Sequence, residues 1–320
     1  MPRQTRRQAA PSFPQIGGAG TTRHVHNKAG EPKFNPSGSP ELAMSFPYAD
    51  LSDPSNYADA AINFAHSLST APPESVAEGA VWYPKVRDAV QKGVRTRGFL
   101  GGSPNKVLSG AAMVAAVSPN MDWDNSNINA FDEIRGLKGH QWADIMGART
   151  DDSAAGHASR AAARLHVQGL SLSRAPLGGL QKVGRLIQGE DPNDVMNPRT
   201  GPKTHRFMHN IADPENEQYA TIDGRAFDTI TNRAMPWTSG RGIEGANLPS
   251  GKLTRYEHAE NVVRDVAAAH GMLPSAAQAT SWANVKYNIE QVGGRKMGPP
   301  RVGQPYYDPY TGEPALHNRS

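Results

Sequence analysis

Lys203 and Asp223 are the two residues of this chain whose types and spacing could do chemistry together, an amine and a carboxylate twenty residues apart. A lysine attacks as a neutral amine, so it must first lose a proton, which burial and neighbouring charges promote. A carboxylate beside a reacting carbon stabilises the positive charge that builds there and can also activate the attacking group. Each residue also has a plainer reading. A hairpin lysine is usually solvated, and an aspartate at a helix start is usually a cap. His205 and His209 share a helix face but lack the Glu and third ligand of a zincin, so no metal is assigned to them. His24 and His26 likewise have no third ligand nearby, and no cofactor is called for.

The elements that must hold this pair are legible around it. Pro198 disfavours α geometry in the residue before it, so a helix ends near Met196. Gly201 offers the permissive backbone of a tight hairpin, and Pro202 sits where a helix can begin, since its missing N–H would be an orphan there. Phe207, Met208 and Ile211 form the apolar side of that helix, and a buried-looking Ile222-Asp223 pair opens the next. The pattern is helix, hairpin, helix.

The stretch Pro198-Arg199-Thr200-Gly201-Pro202-Lys203-Thr204, followed by Ile222-Asp223-Gly224-Arg225-Ala226, resembles the helix-hairpin-helix superfamily of DNA glycosylases, and endonuclease III-like members in particular. That family's hairpin reads Pro-Gly-Val-Gly-Arg-Lys-Thr. The proline, the second glycine, the lysine and the threonine are kept here, while Arg199 replaces the first glycine. By this resemblance Lys203 falls on the Schiff-base lysine of bifunctional members and Asp223 on the catalytic aspartate. Arg199, Thr200, Gly201 and Thr204 then lie where the hairpin meets DNA. Arg206 and Arg225 flank the implied cleft, where they could hold phosphate or pair with Asp213 and Asp228.

A second region carries the resemblance. An apolar helix through Val107, Leu108, Ala111, Val114, Ala115 and Val117 ends in Ser118-Pro119-Asn120. In the family a glutamine at the matching place fills the gap left by an extruded base, so Asn120 is implied as a wedge. Read from residue types alone, the same segment is a turn, with Asp122 or Asp124 capping a helix over 125–134. The implied partner is double-stranded DNA with an extruded base, because a base's reacting atoms are inaccessible within the stack.

Composition permits this reading and removes others. The 320 residues include no cysteine, which excludes disulfides and the four-cysteine iron–sulfur cluster of many endonuclease III relatives. No apolar run reaches the length of a membrane span and no signal peptide is evident, so a soluble, cytoplasmic protein is expected. The net charge of +4 is unevenly placed: residues 1–40 carry six Lys/Arg and one Glu, and residues 293–320 carry four against two. Residues 41–292 therefore hold 24 basic and 27 acidic residues, a slightly acidic body without an overall basic footprint. Basic ends and the absence of cysteine suit a phage or actinobacterial protein.

The fold expected is all-α. Residues 1–45, rich in Pro, Gly, Ser and Arg, read as a disordered basic arm, 46–292 as the helical helix-hairpin-helix glycosylase-like domain, and 293–320 as a flexible tail. Ser52 can cap a helix through Tyr57, Ala61, Phe64 and Leu68, broken by Pro72-Pro73. The pattern then predicts a helix over 76–94 with Val81, Trp82, Val86 and Val90 inward, and Pro84 as either a kink or its true start. Pro104 opens the apolar helix. Residues 136–180 show no clear family pattern beyond a helix over 157–168, and another follows over 181–188. Past a Gly-rich loop at 236–251, Thr254 caps a helix with Val262, Val263, Val266 and Ala267 inward, which Gly271 ends. The last helix, 274–289, places Trp282, Val285 and Ile289 on one side; Trp123 and Trp282 could stack a base or serve as core.

Three functions are compatible with these residues. One is a DNA glycosylase or glycosylase-lyase. Another is a transferase of the same fold, as in phage thymine hypermodification. The third is a non-catalytic DNA-binding or structural protein.

Overall fold

A short 3-10 turn, Pro54–Asn56, leads into α1, Tyr57–Ser69, in a computed structural model that describes residues 49, 51, 53–95, 100, 103–119, 126–231, 254–291, 306–307 and 314–315. Pro72 and Pro73 end one helix and begin the next, α2, Pro73–Val94, because proline fits a first helical turn. Pro84 lies inside α2 and does not start it. The hydrogen bond it removes is to the carbonyl of Ala80, and both residues face solvent, where water can replace the lost donor. Val81 corrects the expected stripe: it is 41% exposed, while Trp82, Tyr83, Val86 and Val90 are buried. Tyr83 takes the inward place assigned to Val81.

α3, Lys106–Val117, is capped by Asn105, whose side chain accepts the Leu108 N–H at 3.0 Å, so the cap lies one residue beyond Pro104. Every residue from Ser109 to Val117 is buried, as its apolar pattern requires of a central helix. α4, Ser126–Gly136, follows. The stretch without a clear pattern contains two helices, α5, Gly139–Met146, and α6, Ala154–Leu165, then a 3-10 turn at Ser171–Arg174. α6 is the helix expected over 157–168, shifted three residues toward the N-terminus, whereas α5 has no counterpart in that expectation. α7, Leu177–Ile187, starts four residues before the expected place, at Pro176.

α8, Pro192–Val195, and α9, Pro202–Ala212, enclose the hairpin; α10, Gly224–Thr231, comes next. α11, Arg255–Ala269, opens on a reciprocal cap between Thr254 and Glu257, and Gly271, at φ +66, closes it in the left-handed conformation. α12 is Pro274–Gln291. Tyr306–Tyr307 and Pro314–Ala315 form a two-residue antiparallel pair within the segment expected as a tail. The described body is all-α, and none of its helices is long and apolar enough to cross a membrane.

Two apolar cores lie side by side. The first is built from Trp82 through Ile211, around α3. The second joins the two ends of the body: Ala49 to Leu68, Ala220 to Ile230, and Tyr256 to Ala277. α2 and α12 tie the cores together at a very close crossing. A Cβ at Gly79 would lie 2.2 Å from Thr280 Oγ1 and 2.5 Å from its backbone nitrogen, so only glycine allows this approach.

Charge follows the same division. Residues 82–212 carry 17 Lys/Arg and 11 Asp/Glu, whereas 49–69, 213–231 and 254–291 together carry four and 12. The slightly acidic balance of residues 41–292 thus conceals a basic stretch and a set of acidic ones.

Candidate active site at the seam of the two cores

The hairpin is built by Asn197. Its Oδ1 accepts the Arg199 N–H at 2.8 Å and its carbonyl accepts the Gly201 N–H at 3.0 Å. Gly201 takes φ −151, an extended backbone open to any residue, so the expectation of a conformational role for this glycine is corrected. Its lack of a side chain serves space instead, since a Cβ there would come within 2.9 Å of Thr204 Oγ1, which donates to the Gly201 carbonyl. Pro202 then starts α9 without a side-chain cap. Among the described residues no acceptor takes the N–H groups of Lys203 and Thr204. Arg199 and Thr200 are exposed, and Gly201, Lys203 and Thr204 are half-buried around this open helix start.

α9 buries Phe207, Met208 and Ile211, as its pattern predicts. The Phe207 ring stacks 5.7 Å from Trp82 and meets Tyr83 edge-on at 5.9 Å. On its other side α9 presents His205, Arg206 and His209. The rings of His205 and His209 are 4.6 Å apart, and Arg206 Nη1 donates to His205 Nδ1 at 3.1 Å. Burial, then the charges of His209 and Arg206, pushes His205 down to about 4. Burial also lowers His209, whose Nε2 donates to Asn193 Oδ1 at 3.2 Å. Both rings are therefore neutral at pH 7. No group of three or more His, Cys, Asp or Glu among the described residues is placed to hold a metal ion.

Arg206 pairs with Glu260 of α11, Nε to Oε1 at 3.0 Å, and lies 4.5 Å over the Tyr219 ring. This pairing, rather than one with Asp213, holds its charge inside the protein, with side-chain exposures of 16% and 6% for the two partners. Burial nevertheless pushes the Glu260 carboxyl above the usual carboxylate range, against the pull of Arg206. Glu260 Oε1 also accepts the Ala220 N–H at 3.1 Å. Tyr256, next on the same helix face, accepts the Ile222 N–H at 3.0 Å and donates to the Ala220 carbonyl at 3.2 Å. The second core thereby fixes the backbone on both sides of Thr221 and delivers Asp223 to the seam.

Asp223 is only 7% exposed. Its Oδ1 accepts the Ala226 N–H at 2.8 Å, so it caps α10. Neither an ion pair nor a hydrogen bond engages Oδ2 among the described residues. Around it lies a buried polar group drawn from four elements. Asn210 donates to Thr221 Oγ1 at 3.1 Å, and the Tyr83 hydroxyl donates to Gln278 Oε1 at 2.9 Å. Burial first, and the nearby charge of Asp223 in addition, push the Tyr83 phenol up, so it remains a proton donor. Among the described residues two atoms in this group have no partner, Asn210 Oδ1 and Gln278 Nε2.

Among the described residues neither an ion pair nor a hydrogen bond joins Lys203 to Asp223. Lys203 lies two helical turns, roughly 10 Å along the axis, from Asn210, the α9 residue bonded to the segment that carries Asp223. Arg225 lies 4.8 Å over the Trp282 ring, next to the cap. Asn120 and Trp123 fall outside the described residues, as do the arm at 1–45 and the Gly-rich loop, and nothing is described of the Asp228 side chain. Tyr83, Asn210, Gln278 and Glu260 carried no local signal. Each looks like an ordinary helix residue until distant segments meet.

Comparison with known proteins adds one match: a family model described as "Family of unknown function (DUF7178)" covers residues 48–288. No curated protein and no solved structure matches.

Proposed function

The chain belongs to the DUF7178 family, whose function is unknown, and we propose that it acts on DNA as a helix-hairpin-helix glycosylase or glycosylase-lyase. The reading rests on one observation above the others: Asp223 is a largely buried carboxylate that commits one oxygen to a cap and leaves the other uncommitted. The segment that carries it is bonded through Thr221 to Asn210, on the helix that begins beside the hairpin lysine. The uncapped start of α9 supports it, since free N–H groups and the helix dipole favour a phosphate, and Arg199, Thr200, Lys203 and Thr204 surround that position.

In this mechanism the hairpin holds the backbone and an extruded base enters toward the seam. Breaking the bond from sugar C1′ to the base builds positive charge on the sugar, which Asp223 stabilises. A neutral Lys203 amine forms the new bond at C1′. The electron pair of the broken bond leaves with the base, which takes up a proton; the lysine adduct loses a proton, and its nitrogen lone pair then expels O4′, which is protonated as the C1′–O4′ bond breaks and the sugar ring opens to an imine. With water in place of the amine, the product is the free base and an abasic sugar. A base-modifying transferase would use the same seam with a different acceptor, and the capping bond favours a third possibility, an inert binding module in which Asp223 is structural.

The test is product analysis on duplexes carrying damaged or modified pyrimidines, scored for free base, strand nicking and altered intact nucleotide. Asn caps a helix about as well as Asp. Asp223→Asn is therefore expected to keep the melting temperature and to abolish turnover, while Asp223→Ala also loses about 1 kcal/mol of stability. Lys203→Gln is expected to remove a borohydride-reducible crosslink and to spare simple base release. Full activity in Asp223→Asn on a verified substrate would refute the assignment.

A further inference from the structure

On the basic stretch of the molecule, α2 and α4 enclose an open cavity of about 470 Å³ whose charged lining is Lys85, Asp88 and Lys92 from α2 and Asp132 and Arg135 from α4. It shares no residue with the hairpin or with the group around Asp223. The groove exists because α4 is drawn down onto Gly93. A Cβ there would lie 2.3 Å from the Phe131 ring, so Asp132 and Arg135, one and four residues on, stand beside α2. Asp132 is paired with Arg135 at 3.0 Å. Lys85 and Lys92 are exposed, and no ion pair joins either to Asp88 or to any other described residue. Two ammonium groups thus remain over one carboxylate.

The surrounding chain strengthens that excess. Residues 85–106 carry six Lys/Arg and one Asp, and residues 126–185, from the start of α4, carry eight against five. By contrast, residues 41–84 carry six acidic residues and no basic one. A surface of this kind attracts polyanions by long-range steering as well as by contact. Lys85 and Lys92 are two turns apart, roughly 10 Å along α2. That is about three phosphates of one strand at a rise of roughly 3.4 Å each.

We propose that the α2–α4 groove is a second nucleic-acid surface, which holds the sugar-phosphate backbone through Lys85 and Lys92, apart from the hairpin. It does not depend on Asp223 acting as a catalyst. The expected contribution is electrostatic and indifferent to base sequence. Each lysine that neutralises a phosphate adds about −0.9 to the slope of log K against log salt, a factor of about 3.5 between roughly 50 and 200 mM.

The experiment measures affinity of the full chain for a labelled, unmodified duplex of about 20 base pairs across that salt range. Lys85→Gln/Lys92→Gln is compared with Lys106→Gln/Lys182→Gln, which removes the same charge outside the groove. The groove variant is expected to bind more weakly at low salt and to lose about 1.8 from the slope, with the control close to wild type. An equal effect in both variants would assign the binding to net charge and overturn the groove. So would unchanged binding in the groove variant, or a low-salt self-association abolished without any change in DNA affinity. Because the duplex carries no lesion, the outcome is separate from that of Asp223→Asn.

Discussion

His205 is buried beside the Arg206 guanidinium, which donates to its Nδ1, so the ring must stay neutral with its own proton on Nε2. The folded protein holds its pKa down at about 4, against an ordinary value of 6.5, through burial and then the charges of His209 and Arg206. A depressed histidine favours folding fully above the unfolded value, and that contribution is lost as pH falls from 6.5 toward 4. Denaturant midpoints are therefore expected to decline across this window. His205→Gln should flatten the decline, leaving the part due to His209 and His66, which burial also lowers. An unchanged slope in that variant would show that other groups govern the acid limb. The Arg206–Glu260 pair is the companion case, a charge pair that spans the seam and pins the Ala220 amide. Its burial makes it a positioning device for Asp223 more than a source of net stability.

Between elements, the α2–α12 crossing at Gly79 sets how near the two cores can come. In an isolated helix Gly→Ala gains up to about 1 kcal/mol. Here the added methyl meets the Thr280 backbone, which cannot swing away as a flexible side chain would. Gly79→Ala is expected to reverse the sign and destabilise the protein by about 1–3 kcal/mol, read as a lowered melting temperature. Tyr83 and Gln278 sit on the same two helices, so the substitution should also disturb the hydroxyl-to-amide bond at the seam. A raised melting temperature would mean that the crossing relaxes more easily than this packing implies.

Across the molecule, the second core depends on both ends of the body. Ala49 donates its N–H to the Thr231 carbonyl, Leu51 is buried, and the Tyr57 hydroxyl bonds Asp265 of α11. A chain ending at Thr231 would lose α11 and α12, and with them Tyr256, Val262, Val263 and Val266 from that core. Such a chain is expected to expose apolar surface to a dye and to lose cooperative thermal unfolding, although the first core keeps its own helices. Retained two-state melting would show that the first core alone carries the folding unit. The charge division belongs to this scale too. The basic stretch carries the hairpin and the α2–α4 groove, while Asp223 comes from an acidic one.

Local chemistry determined the helical elements and several of their ends. Proline at 73 and 202, the Thr254–Glu257 cap and Gly271 set boundaries from a few neighbouring residues, and the run from Val107 to Val117 announced a buried helix. The same applies to the burial of Phe207, Met208 and Ile211, whose spacing states which face turns inward. α5 was not legible because its eight residues bury only Trp142 and Ile145, too few to state a period. Gly201 misled, because a glycine kept for space looks identical in sequence to one kept for a left-handed turn. The position of Asp223 at a seam was decided only by tertiary structure. Glu260 and Tyr256 lie more than thirty residues from the amides they hold, and Tyr83 meets Gln278 across 195 residues. Sequence patterning encodes which face of an element is apolar. It does not encode which distant polar group completes a buried hydrogen bond, because that pairing exists only once the cores have closed.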